Sequence, residues 1–107
     1  MRINVSGADT AVTDEKRAYA EYRFFTSIAA HVARVRAVDV VVRRDGAKCP
    51  PFLCTVTIDL GPSGRIKTQA RAVHPIAAMD RAADRAAWLV ARRVRADFRL
   101  KSPACSS

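Results

Sequence analysis

Apolar residues alternate in four short segments of this 107-residue chain and recur every three to four residues in two long ones. Their order predicts an α+β fold of order β-α-β-β-β-α, a two-layer sandwich with a four-stranded mixed sheet and both helices on one face. The alternation confines apolar side chains to one sheet face, each long segment carries an apolar stripe to cover it, and turn-forming glycines and prolines fall between segments. One domain is expected over residues 1–101, with 102–107 a frayed tail.

The first strand runs from Arg2 to Ser6, with Ile3 and Val5 on one face, and stops at Gly7. Thr13 suits a helix N-cap, and Asp14 and Glu15 place negative charge in the first turn, where the helix dipole favours it. A helix is expected from about Asp14 to about Ala33, with core stripe Ala20, Phe24, Ser27, Ile28, His31 and Val35. Tyr22, Phe25, Ala29 and Val32 form a second apolar arc on it.

In the second strand Val38, Val40 and Val42 alternate with Asp39, Val41 and Arg43, ending at the turn signal Asp45-Gly46. The third turns Cys54, Val56, Ile58 and Leu60 one way and Thr55, Thr57 and Asp59 the other. Gly61-Pro62-Ser63-Gly64 then makes a hairpin turn, and the fourth strand points Ile66, Thr68, Ala70 and Ala72 inward. Pro75 suits the first position of a final helix to about Leu100, with Ile76, Met79, Ala83, Ala86, Ala87, Val90 and Val94 on its core side. The first two strands, joined through a helix, can lie parallel; the rest are hairpin-connected and antiparallel.

A chain this long buries roughly 65% of its unfolded surface, enough for a modest core without staples. Half its residues are hydrophobic, which excludes intrinsic disorder except at the ends. No apolar run approaches the roughly 20 residues of a membrane span, and the N-terminus reads as a strand, not a signal peptide. A cytosolic protein without membrane association is expected. Three cysteines, Cys49, Cys54 and Cys105, fit a reducing compartment better than a disulfide framework. No metal is expected, because Cys49 and Cys54 lack nearby histidine partners. Nineteen Lys+Arg against ten Asp+Glu give a net charge of +9, a balance that points to a polyanion, most often nucleic acid.

Enzymes need converging polar groups, and few are on offer. His31 reads as a satisfied core histidine and His74 as the end of the loop before Pro75. Asp80 and Asp84 could form a carboxylate pair, but Arg81 and Arg85 alternate with them, so ion pairing along the helix is the simpler reading. No catalytic residue, cofactor or small-molecule substrate is expected.

The last helix is more informative. From Asp80 to Lys101 there are seven basic residues against three acidic ones. Arg81, Arg85, Arg92 and Arg99 stack opposite the core, flanked by Arg95 and Trp88. A solvated helix face could look like this. The shortage of acids, the use of Arg over Lys and the Trp inside the stripe favour RNA, since guanidinium binds phosphate bidentately and an exposed indole stacks on bases. Trp88 could instead fold over the helix edge onto the first helix. The outer sheet face, where Arg2, Arg43, Lys67 and Arg71 interleave with Asp39, Asp59, Thr55 and Thr57, is expected to be secondary for RNA.

Arg2-Ile3-Asn4-Val5-Ser6-Gly7, Thr13, Arg34-Val35-Arg36-Ala37-Val38-Asp39-Val40, Cys54-Thr55-Val56 and Ala77-Ala78-Met79-Asp80-Arg81-Ala82-Ala83-Asp84-Arg85 stand in an order and spacing with a precedent. With them the chain resembles the ribosome hibernation-promoting factor and ribosome-associated inhibitor A family, also labelled sigma-54 modulation proteins, over residues 1 to about 100. The resemblance implies the same β-α-β-β-β-α order and binding to the small ribosomal subunit, in the channel where messenger and transfer RNA would sit. It also implies contact between basic helix residues and ribosomal RNA, with Arg85 at the position of the basic residue after the signature Asp. Trp88-Leu89 stands where the family has Arg-Gln, and His74 where it has an acid. The dimerisation domain of the family's long form is not in this sequence, so ribosome pairing through it is not expected, and a monomer is favoured.

The expected function is therefore a short hibernation-factor-like protein that binds ribosomal RNA and silences translation by occupancy. The alternative is a diverged regulatory module that binds a protein partner or itself through Tyr22, Phe25 and Val32 of the first helix.

Overall fold

The computed structural model describes residues 1–7, 13–44 and 46–101, with side chains as far as 96. Its elements are β1 (Arg2–Gly7), α1 (Asp14–Ile28), β2 (Ala37–Arg44), β3 (Phe52–Asp59), β4 (Arg65–Ala72) and α2 (Pro75–Lys101). The sheet order is β1-β2-β3-β4, with β1 parallel to β2 and the other pairs antiparallel. This is the mixed four-stranded sheet that the alternation predicts. The tail at 102–107, which includes Cys105, and Asp45 of the turn signal lie outside the described residues.

The core lies between the sheet and both helices. Val38, Val40, Val42, Cys54, Val56 and Ile58 line the sheet's inner face, and α1 places Phe24 and Ile28 against it. From α2 come Met79 and Val90 with Ala78, Ala82, Ala83 and Ala86, all buried. Four alanines let the helix backbone approach the sheet closely, so the methyl groups fill space that longer side chains would contest. The α2 core arc is rotated from expectation towards Ala78 and Ala82, while Ile76, Ala87 and Val94 are only partly buried.

Thr13 caps α1 as expected, its Oγ1 accepting from the Lys16 N–H at 3.3 Å. The helix ends at Ile28, short of the expected Ala33. Ile28 leaves the helical region (φ −116°, ψ 13°), and Ala29–His31 tighten into a 3₁₀ turn in which Ala29 O accepts from Val32 N–H and His31 O from Arg34 N–H. The tighter turn swings the chain round to enter β2 beside β1. His31 is consequently half-buried in that turn and is not the core histidine expected; among the described residues no polar side chain is fully buried.

Between β3 and β4, Gly61 (φ 61°) and Gly64 (φ 94°) occupy backbone conformations that L-residues avoid. A Cβ on Gly61 would also come within 2.8 Å of Arg36 Nε. Asp59 Oδ1 accepts from Gly61 N–H at 2.8 Å and locks the entry to the turn.

Burial pushes the Cys54 thiol up to about 12, because the folded interior disfavours thiolate. The unfolded chain releases this proton near its ordinary value of 9, so Cys54 contributes stability in full below pH 9 and loses it as pH rises towards 12. Urea midpoints should therefore fall over that window, and Cys54→Ala should flatten the fall. An equal slope in the variant would remove Cys54 as its cause.

Candidate nucleic-acid interface

Asp80 and Asp84 of α2 are drawn away from its arginine stripe. Arg23 on α1 pairs with Asp84 at 2.6 Å and Asp80 at 3.4 Å, and the Tyr19 hydroxyl donates to Asp80 at 2.8 Å. Residues 19, 23, 80 and 84 advance together, so the two helices run side by side in one direction, zipped by this cluster. The hydrogen bond to Asp80 raises the Tyr19 hydroxyl above its ordinary value, and that to Asp84 does the same for Arg23. Pairing of Asp80 and Asp84 with Arg81 and Arg85 along α2 is thus corrected. The acids sit on the flank that faces α1, and the interhelical partner is already fixed by packing.

Arg81 and Arg85 turn the other way, across the edge of the sheet. Arg81 donates to the Arg71 carbonyl at 3.0 Å and Arg85 to the Gln69 carbonyl at 2.6 Å. Both acceptors lie on β4, which has a strand neighbour on only one side. The two guanidinium groups are thereby held over a cleft of about 760 Å³ that Lys67 and Arg71 also line, with Pro50, Leu53 and Gln69. Four cations and no acid face this space. Arg71 is held from its far side, donating to the Pro50 carbonyl at 3.5 Å.

One turn further along, Trp88 is 57% exposed, so it does not fold onto α1. The Arg92 guanidinium lies over its ring, 5.2 Å from the centroid, within cation–π range. Arg95 and Ala96 border the same hollow. Arg93, outside the expected stripe, donates to the Ser63 carbonyl at 2.8 Å and ties α2 to the β3–β4 turn. Arg99 belongs to the expected stripe, but its side chain lies outside those described.

The structure therefore divides the stripe into a cleft pair, Arg81 and Arg85, and an outward group, Trp88, Arg92 and Arg95. It joins to the first pair two sheet residues, Lys67 and Arg71, which the alternation along β4 places on the outer sheet face. The signal was available in part: both point outward from β4, and β4 precedes α2 directly. Among the described residues no group of three His, Cys, Asp or Glu side chains could hold a metal ion, and no helix is long and apolar enough to cross a membrane.

A family model described as sigma 54 modulation protein / S30EA ribosomal protein matches residues 3–95. Among solved structures, a ribosomal subunit interface protein from Coxiella burnetii is similar with TM-score 0.74 and 14% identity, covering 86% of this chain and 96% of that one. The N-terminal domain of Protein Y from Thermus thermophilus is similar with TM-score 0.70 and 26% identity, covering 86% and 98%. No curated protein matches the chain.

Proposed function

The chain belongs to the sigma 54 modulation protein / S30EA ribosomal protein family, and from that premise we propose that it associates with the small ribosomal subunit, binds ribosomal RNA and silences translation by occupying the mRNA/tRNA channel. The observation that carries this reading is the cationic surface of a chain matched by that family over residues 3–95: Arg81 and Arg85 turn to the β4 edge and Arg92 lies over Trp88, while Arg23 holds Asp80 and Asp84. Arginines of this kind neutralise phosphates and release counterions, a large source of affinity for nucleic acid. Inhibition by occupancy needs no reacting group, only enough bound surface to exclude the natural occupants of the channel.

Purified protein should co-sediment with small subunits at low salt and be released as salt rises, and it should lower the yield of a reconstituted translation reaction. Absence from the subunit fraction at low salt would defeat the reading.

A second reading rests on the outer face of α1, where Tyr22 is 69% and Phe25 49% exposed beside exposed Val32. An interface for a protein partner or a second copy would use this arc. A defined oligomer in light scattering, unaffected by nuclease, together with failure to co-sediment, would favour it.

A further inference from the structure

We propose that the β4-edge cleft and the Trp88–Arg92 pair act as the two halves of one site for unpaired, single-stranded RNA, the cleft taking a backbone phosphate and the indole taking a base. The proposal rests on the RNA-binding reading above and names the form of RNA that this side of α2 accepts.

The cleft is suited to phosphate by charge and by pre-positioning. Lys67, Arg71, Arg81 and Arg85 line it without an acid. Arg81 and Arg85 each spend one N–H on a β4 carbonyl, which fixes the guanidinium plane and leaves other N–H groups for an anion. A cation already held in place gives up less side-chain freedom on binding.

The second half is suited to a base. Trp88 lies three residues beyond Arg85, about 4.5 Å along the helix axis. Its ring is exposed and is braced by the guanidinium of Arg92. An indole in that state has surface to offer a π-system, and base stacking of this kind tolerates any sequence. A duplex keeps its bases stacked and paired inside, out of reach of a helix-borne indole, whereas an unpaired nucleotide can lay its base on Trp88 with its phosphate over Arg85. The two halves are one turn apart on one rigid helix, so a single strand can engage both.

Trp88 is the chain's only tryptophan, so its fluorescence reports the base half directly. Three probes of equal length are titrated into the protein: a short unstructured RNA, the same RNA as a duplex, and an abasic strand. The expected result is tight binding with fluorescence quenching for the single strand, weaker binding without quenching for the duplex, and salt-dependent binding without quenching for the abasic strand. Trp88→Ala should weaken single-strand binding by roughly 5- to 150-fold with the salt slope unchanged. The double variant Lys67→Ala/Arg81→Ala should lower the log–log salt slope by about 1.4, two single-strand phosphate contacts, while keeping the quench at saturation.

Equal binding of duplex and single strand without quenching would overturn the proposal and leave the RNA-binding reading standing. Quenching by a nucleoside monophosphate at the concentrations that suffice for the strand would overturn it in favour of a free nucleotide. Failure of every RNA to bind would overturn both.

Discussion

Phe24→Ala should cost about 3–5 kcal/mol of stability, a large fraction of the roughly 5–15 kcal/mol that holds a domain folded. Phe24 is completely buried at the point where α1 meets the sheet, with Ile28 one turn beyond it. Removing the ring leaves a cavity that its neighbours cannot readily close, because α1 is packed there against β1 and α2 in a close-packed interior. At roughly 4–8 °C per kcal/mol for a domain of about 100 residues, the melting temperature should fall by at least about 12 °C. Phe25→Ala, one position along but half exposed, is the control and should change stability by no more than about 0.5 kcal/mol. Thermal melts followed by circular dichroism compare the two directly. A loss below about 1 kcal/mol in the Phe24 variant would mean that α1 does not pack through this residue.

The second large effect is on RNA affinity. Replacing Arg85 and Arg92 together with alanine removes one cation from each half of the α2 surface. With about 0.7–0.9 counterions released per neutralised phosphate, the salt slope should fall by about 1.4–1.8. If the non-electrostatic part, read at 1 M salt, is unchanged, affinity at 0.1 M salt drops by about the same number of decades, roughly 25- to 60-fold. Folding should be intact, since both side chains are exposed and neither caps an element. Anisotropy titrations at several salt concentrations measure slope and affinity together. An unchanged slope with intact folding would remove this face of α2 from the interface.

Most of the fold was legible because its elements carry unambiguous periods. Val38, Val40 and Val42 can occupy one sheet face only by alternating, and Gly61 and Gly64 mark a turn no other residue makes cheaply. Helix boundaries were less legible. Nothing local in Ala29-Ala30-His31 stops a helix; it stops because the chain must turn to align β2 beside β1, which is a tertiary demand. His31 followed the same error, since a residue on a helical stripe loses its assigned face once the helix has ended.

The site divides along the same line. Spacing along α2 reveals which cations share a stripe, but not which strand edge they meet. Arg81 and Arg85 look like partners for Asp80 and Asp84 in one dimension, and only the packing of α1 shows that Arg23 occupies those carboxylates. Lys67 and Arg71 join the arginines because β4 is the outermost strand on the side towards which they reach, a fact of sheet order.

The hydrogen bonds from Arg81 to the Arg71 carbonyl and from Arg85 to the Gln69 carbonyl bear also on how the protein behaves at high concentration. An outer strand with bare carbonyls is a template on which another chain can add a strand, the first step of edge-to-edge aggregation. Here two of those carbonyls are occupied, and each donor brings a positive charge that repels a second copy of a chain with net charge +9. The same two side chains therefore oppose strand addition at this stretch of β4. Alanine at either position strips this protection from β4, so colloidal stability and RNA affinity are tied to one pair of residues.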